Sequence, residues 1–182
     1  MKAVPANRYF LFFAIVIAGC AVDLMTKRAV FDWLGMPGQR DTWWVLPDVL
    51  GFQTSLNAGA LFGMGQGMVR LFALLSLLAA GSIAAWLYFG GASWDLLLTV
   101  ALGMITAGIL GNLYDRLGMP GLEWHDGLPV YAVRDWILVM IGKWPWPTFN
   151  IADSLLVCGA GLLVWHAFRK DAAGRQPTAE GA

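Results

Sequence analysis

One aspartate stands inside an apolar segment of this chain and needs a chemical explanation. Asp153 lies four residues into the run from Phe149 to Phe168, which contains no other Asp, Glu, Lys or Arg. A carboxylate at membrane depth costs about 3 kcal/mol on insertion scales, so such residues usually serve a function and have a polar partner. We therefore expect Asp153 to belong to a site.

A second carboxylate nearby would supply acid–base chemistry, and Asp135 precedes the same run. Two carboxylates that approach each other share one proton, because repulsion and burial disfavour two negative charges. One can then take a proton from water while the other polarises a carbonyl, as in an aspartic peptidase. The sequence has no His-Glu-x-x-His pattern for zinc, and Ser55 and Ser154 have no His or Lys base placed on their faces. Neither a metal nor another cofactor is expected.

The composition indicates a membrane protein. Of the 182 residues, 58% are hydrophobic and only 13% are charged, and the formal net charge of zero argues against a nucleic-acid partner. A helix needs about 20 apolar residues to cross a bilayer. We expect an all-α membrane protein with four transmembrane helices, forming one domain over residues 1–170 with a short, disordered cytoplasmic tail over residues 171–182. The four spans are Tyr9 to about Met25, a stretch within Leu71 to Trp94, Leu96 to Tyr114, and Phe149 to Phe168.

The segments between the spans are unequal in length. The two long loops, residues 27–70 and 115–148, are rich in Trp, Pro and Gly. Within the first, Trp43–Leu46 and Gly51–Leu56 are short and aromatic enough to form strands. We therefore expect a small β-sheet outside the membrane.

The basic residues predict the orientation. They flank the first and last spans on their terminal sides, at Lys2, Arg8, Arg169, Lys170 and Arg175, so both termini are expected in the cytoplasm. Antiparallel spans then bring most polar residues to the extracytoplasmic face. Helical spacing also puts three sets of polar residues on shared helix faces: Asn112 with Asp115 and Arg116, Asn150 with Asp153, and Asp23 with Lys27.

Five motifs in order carry a family resemblance. They are Asp23-Leu-Met-Thr-Lys27, Asn57-Ala-Gly59-Ala60-Leu-Phe62-Gly63, Gly111-Asn112-Leu-Tyr-Asp115-Arg116, Val133-Arg-Asp135-Trp and Phe149-Asn150-Ile-Ala152-Asp153-Ser154. Together they resemble the bacterial lipoprotein signal peptidase, or signal peptidase II. The resemblance implies an inner-membrane aspartyl peptidase that cuts a prolipoprotein before its diacylglyceryl cysteine. Membrane lipid and globomycin-like inhibitors are its other implied partners.

The resemblance also implies roles for individual residues. Asp135 and Asp153 fall on the catalytic pair. The polar residues that fall around the pair, in substrate-binding or supporting positions, are Asp23, Lys27, Asn57, Gly59, Asn112, Asp115, Arg116 and Asn150.

The stretch before Asp135 departs from the family pattern. It is longer than usual, and its Asp126 is a second candidate partner for Asp153. We favour Asp135, because an apolar Trp-Ile-Leu segment follows it, whereas Gly and Pro follow Asp126. Arg134 replaces an apolar residue. Since an inward cation would lower the pKa of Asp135, we expect Arg134 to point to solvent.

Other interpretations stay open at this point. Asp115 and Arg116 could form a helix-end ion network, and Asn57 could be a turn residue as well as a substrate contact. Membrane acids also relay protons, so a proton-coupled carrier is the alternative function. The segment Ile17–Cys20 imitates a lipobox, which would make the chain itself a substrate.

Overall fold

Four long helices form the membrane part of the computed structural model, which describes residues 5–59 and 65–174. Within these residues each helix is long and apolar enough to cross a membrane, which confirms the four predicted spans. A short 3₁₀ turn, Ala92–Trp94, separates the second helix from the third. The helices are α1 (Ala6–Leu34), α2 (Val69–Tyr88), α3 (Leu96–Arg116) and α4 (Ile151–Gly174).

Helix α3 is the centre of the bundle. Two-thirds of its most apolar stretch (67%) is buried, against 11–17% for the other three helices, which therefore present most of their surface to lipid. Glycines let α3 approach its neighbours closely. A Cβ at Gly108 would collide with the carbonyl of Ala152 on α4, and one at Gly111 would collide with the carboxylate of Asp23 on α1. Residues on α3 therefore contact both flanking helices directly.

A four-stranded antiparallel sheet completes the fold, with strands β1 (Trp43–Leu46), β2 (Leu50–Asn57), β3 (Val133–Ile141) and β4 (Trp144–Pro145) in sequence order. The two strands predicted from the sequence are confirmed as β1 and β2. Strand β3 was not predicted, and it carries Asp135. Its register pairs Asp135 with Ser55 and Val133 with Asn57. The end of β2 and the start of β3 therefore lie side by side.

Helix α1 is longer than predicted. The sequence placed its end near Met25 and a loop from Lys27 onward, but the helix continues to Leu34. Its last turns pack against the sheet, where Val30, Phe31 and Leu34 form a buried cluster with Trp136 of β3. This apolar contact explains the extra turns, and it holds Lys27 inside a helix.

Two further predictions concern the carboxyl-terminal tail and the lipobox-like segment. Helix α4 runs to Gly174, so the tail predicted from residue 171 begins with helical residues, and residues 175–182 lie outside the described part. Cys20 of the lipobox-like segment lies within the continuous helix α1. At the preceding Gly19, a Cβ would meet Ala107 of α3 and Leu155 of α4, so helix α1 packs closely against both helices at this position.

Candidate active site

A cavity of about 570 Å³ lies where the carboxyl end of α3 meets the amino end of α4 and the sheet. Asp135 and Asp153 both line it. Polar neighbours in the lining are Asn57, Asn112 and Arg116, and most of the remaining wall is apolar, formed by Val133, Trp146, Pro147, Phe149, Leu156 and Val157. The structure thus brings both predicted acids into one site.

Asp135 is deeply buried on β3, with 2% of its surface exposed. Asn150 Nδ2 donates a hydrogen bond to Asp135 Oδ1 over 2.6 Å, and Asn57 forms a second side-chain hydrogen bond. Burial, and after it the negative charge of Asp153, raise the pKa of Asp135 to about 8, although Lys27 and the hydrogen bonds of Asn150 and Asn57 act to lower it. Asp135 therefore keeps a proton near neutral pH.

Asp153 is held by the start of α4. The Asn150 backbone N–H donates to Asp153 Oδ2 at 3.2 Å, while the Asp153 backbone N–H donates to Asn150 Oδ1 at 2.9 Å. This reciprocal arrangement is a capping box, which explains why an Asn three residues before an Asp starts the helix here. Asn112 Nδ2 donates to the other oxygen, Oδ1, at 2.8 Å. Asn150 thus connects Asp153 with Asp135.

A buried ion network lies behind the two acids. Lys27 Nζ is 2.7 Å from Asp23 Oδ2, 3.1 Å from Asp115 Oδ2 and 2.9 Å from Asn112 Oδ1, with no exposed surface on any of the three charged side chains. Asp23 Oδ1 also accepts from the backbone N–H of Ala152 at 2.9 Å. The predicted Asp23–Lys27 pair therefore exists, and it ties α1 to α3 and α4.

Arg134 corrects a prediction from the sequence. It was expected to face solvent, but it is only 5% exposed and its Nη2 lies 2.8 Å from Asp115 Oδ1. The guanidinium also lies over the ring of Phe31, 5.9 Å from its centre. Asp115 supplies a paired negative charge, which makes burial of the guanidinium tolerable. The expected solvent-facing orientation was wrong for this reason.

Comparison with known proteins gives a family for this site. A family model described as signal peptidase (SPase) II matches residues 15–169. The chain belongs to the signal peptidase II family. It is 51% identical over 172 residues to a lipoprotein signal peptidase of Rhodopirellula baltica, covering 91% of this chain and 75% of the relative. A lipoprotein signal peptidase of Polynucleobacter necessarius is 34% identical over 175 residues, covering 93% of this chain and 94% of the relative.

Solved structures agree with this family. Two structures, each described as a bacterial membrane enzyme, resemble the chain with TM-scores of 0.74 and 0.70, at 25% and 26% identity. The alignment with the first structure covers 93% of this chain and 94% of the solved chain. The alignment with the second covers 86% of this chain and 91% of the solved chain. This signal peptidase II family member is therefore a multi-pass bacterial membrane peptidase.

Two further polar residues of the signal peptidase II motifs, Asn57 and Arg116, also line the cavity. Asn57 Oδ1 accepts from the backbone N–H of Gly59 at 2.9 Å, so Asn57 forms a turn and also lines the cavity. Among the described residues, the ion pairs of Asp115 are with Lys27 and Arg134, and not with Arg116. Arg116 donates instead to the Gly59 carbonyl at 3.3 Å. Residues 60–63 of the same motif lie outside the described part.

Asp126, the second candidate partner, is an exposed residue in the turn of the long loop. Its side chain accepts from the backbone N–H of Leu128 at 3.1 Å, and it is not part of the cavity lining. His166 lies at the opposite end of the bundle, with Nδ1 at 3.4 Å from Asp95 Oδ2. The geometry therefore associates Asp135, and not Asp126, with Asp153.

Sequence reasoning missed the apolar wall of the cavity. Leu156 and Val157 follow Asp153 by three and four residues, so helical spacing alone places them on its face. Trp146 and Phe149, at the entry to the fourth predicted span, also line the cavity, and neither was predicted to do so. The pairing of Arg134 with Asp115 gave no sequence signal, since the two residues are 19 positions apart.

Proposed function

We propose that this chain is an aspartic endopeptidase that removes the signal peptide from diacylglyceryl-modified prolipoproteins, cutting before the lipidated cysteine. The observation that carries the proposal is the cavity lined by both a protonated Asp135 and Asp153, with the buried Asn150 hydrogen-bonded to both residues behind it. Membership of the signal peptidase II family supports a peptidase, and its relatives are named lipoprotein signal peptidases.

The mechanism assigns one role to each acid. The Asp153 carboxylate takes a proton from a water molecule as the water oxygen attacks the scissile carbonyl carbon, and Asp135 gives its proton to the carbonyl oxygen. The tetrahedral intermediate then collapses: Asp153 protonates the leaving amine, and the proton on the oxygen returns to Asp135. Arg116, at the cavity wall, supplies positive charge for the developing oxyanion.

The cavity wall matches the proposed substrate. Its polar end, with both acids, suits a peptide bond, and its apolar wall along α4 suits an acyl chain and the apolar segment of a signal peptide. Globomycin-like peptides would compete for the same space. We place this end at the extracytoplasmic face of the inner membrane, with both termini in the cytoplasm, because basic residues flank the terminal spans.

Purified chain in detergent should cleave a prolipoprotein that carries a diacylglyceryl cysteine, and the product should begin at the lipidated cysteine. The same prolipoprotein with an unmodified cysteine is the matched control and should be cleaved far more slowly, because it lacks the chains that fill the apolar wall. Mass spectrometry of the product measures both results. Equal cleavage of the two substrates would contradict the lipid requirement.

A proton-coupled carrier is less well supported by the contacts. A carrier needs ionisable groups along a path between the two membrane faces. In the described part of α3, between the Asp95–His166 pair and the cavity, the polar side chains Thr99 and Thr106 donate to carbonyls of their own helix. Proton flux into vesicles that contain the chain would support the carrier instead.

The pH profile follows from the protonation of Asp135. Because its pKa is raised to about 8, Asp135 holds the required proton below that pH and loses it above. The cleavage rate should therefore fall on the alkaline side with a midpoint near pH 8. A rate that stays constant up to pH 10 would contradict the role of Asp135 as proton donor.

A further inference from the structure

Arg134 occupies both oxygens of the buried Asp115. Its Nε and Nη2 donate to Asp115 Oδ1 at 3.0 and 2.8 Å, and its backbone N–H donates to Asp115 Oδ2 at 3.0 Å. The guanidinium side chain is 6% exposed and the Asp115 side chain is fully buried. A fork-shaped cation with such contacts fixes both the position and the charge of its partner.

The network continues from Asp115 to Asp153. Lys27 Nζ lies 3.1 Å from Asp115 Oδ2 and donates to Asn112 Oδ1 at 2.9 Å. Asn150 Nδ2 donates to the same Asn112 oxygen at 3.1 Å. With its oxygen held by two donors, Asn112 turns its Nδ2 to Asp153 Oδ1, at 2.8 Å. The hydrogen bond on Asp153 therefore depends on where Lys27 is held.

A second connection runs through the backbone to Asp135. The carbonyl of Arg134 accepts from Asn150 Nδ2 at 3.3 Å, and this amide group also donates to Asp135 Oδ1 at 2.6 Å. The residue before Asp135 thus contacts the hydrogen-bond partners of both acids without lining the cavity itself.

The charges of this network balance. Two cations, Lys27 and Arg134, face two carboxylates, Asp23 and Asp115, and all four side chains are at most 6% exposed. The ammonium of Lys27 is the cation that lowers the pKa of Asp135. Without Arg134, Lys27 alone would face both carboxylates, and one net negative charge would stand behind the cavity.

We propose that Arg134 is a positioning residue that neutralises Asp115 and thereby sets the pH range in which the acid pair works. The inference rests on the proposed aspartic peptidase function. The charged groups near the acid pair lie on every element packed against it: Lys27, paired with Asp23, on α1, Asp115 and Arg116 on α3, Arg134 next to Asp135 on β3, and Asp153 on α4. Arg134 and Asp115 can be changed while the others stay in place.

The test measures the alkaline midpoint of the cleavage rate in variants of opposite charge. Arg134→Met adds net negative charge, which favours protonated acids, so the midpoint should rise by about 0.5–1 pH unit. Asp115→Asn leaves Arg134 unopposed, so the midpoint should fall by a similar amount. The double variant restores the balance and should return to the wild-type midpoint. Arg134→Lys keeps the charge and loses the fork, so it should lower kcat with an unchanged midpoint.

A role in packing alone predicts lost rate or stability with unchanged midpoints in every variant, and that result would overturn the proposal. Shifts of the same sign in both single variants would overturn it as well. If Arg134→Met does not fold, the double variant must still have a higher midpoint than Asp115→Asn. Failure of the proposed function is distinguishable, because the wild-type chain would then not cleave the lipidated substrate at all.

Discussion

Replacing Asp153 with Asn should lower the cleavage rate of a diacylglyceryl-modified prolipoprotein by about 10³-fold or more, the range that a general acid–base group contributes. Asp135→Asn should have an effect of the same size. Asn keeps the shape of either side chain, so Asn112 can still donate to residue 153 and Asn150 can still donate to residue 135. Rates are measured with purified variants whose thermal unfolding shows that they are folded.

Asp126→Asn is the matched control for these two variants. Its carboxylate is exposed and accepts a hydrogen bond only within its own turn, so the cleavage rate should stay within about twofold of wild type. Wild-type activity in Asp153→Asn or Asp135→Asn would remove that residue from the acid pair. If Asp126→Asn were inactive and Asp135→Asn active, Asp126 of the long loop would be the acid that works with Asp153.

Replacing Lys27 with Met should destabilise the protein by about 3–5 kcal/mol, because removing one member of a buried ion network leaves charge uncompensated. Lys27 contacts two carboxylates and the Asn112 amide, all away from solvent. Met has a similar length and fills the space, so the decrease in the free energy of unfolding comes from the missing charge more than from a change in volume. Denaturant unfolding in detergent micelles measures the change in free energy.

The next residue along α1 gives the control. Arg28 pairs with Asp32 at 3.5 Å, but the two side chains are 81% and 71% exposed. Exposed pairs contribute little, so Arg28→Met should change the free energy of unfolding by no more than about 0.5 kcal/mol. Equal losses for the two variants would show that burial of the Lys27 network does not contribute to stability.

The membrane helices could be predicted because their signal is local. Length and hydropathy identify a span without knowledge of its neighbours, and the same holds for the short strands β1 and β2. The end of α1 could not be found this way. Its last turns are stabilised by packing on Trp136, which is more than 100 positions away along the chain. A local apolar pattern cannot predict such a long-range contact.

The site shows the same division. Helical spacing correctly paired Asp23 with Lys27 and Asn150 with Asp153, since both pairs lie within one helical turn. The orientation of Arg134 was predicted wrongly because its partner, Asp115, lies on another element. The expectation rested on the effect that an inward cation would have on the pKa of Asp135, and it did not include the buried carboxylate that lies beside Arg134.

The Asp23–Lys27 pair has a consequence for how the chain is made. Each charge alone would oppose insertion of α1 into the bilayer, but the two lie one turn apart, so the first helix brings its own counter-ion. It can leave the ribosome and enter the membrane before α3 delivers Asp115 and Asn112. The two acids of the cavity, in contrast, come together only when β3 and α4, which follow α1 and α3 in the chain, have been added. A nascent chain that lacks α4 therefore already contains the Asp23–Lys27 pair but not a complete acid pair.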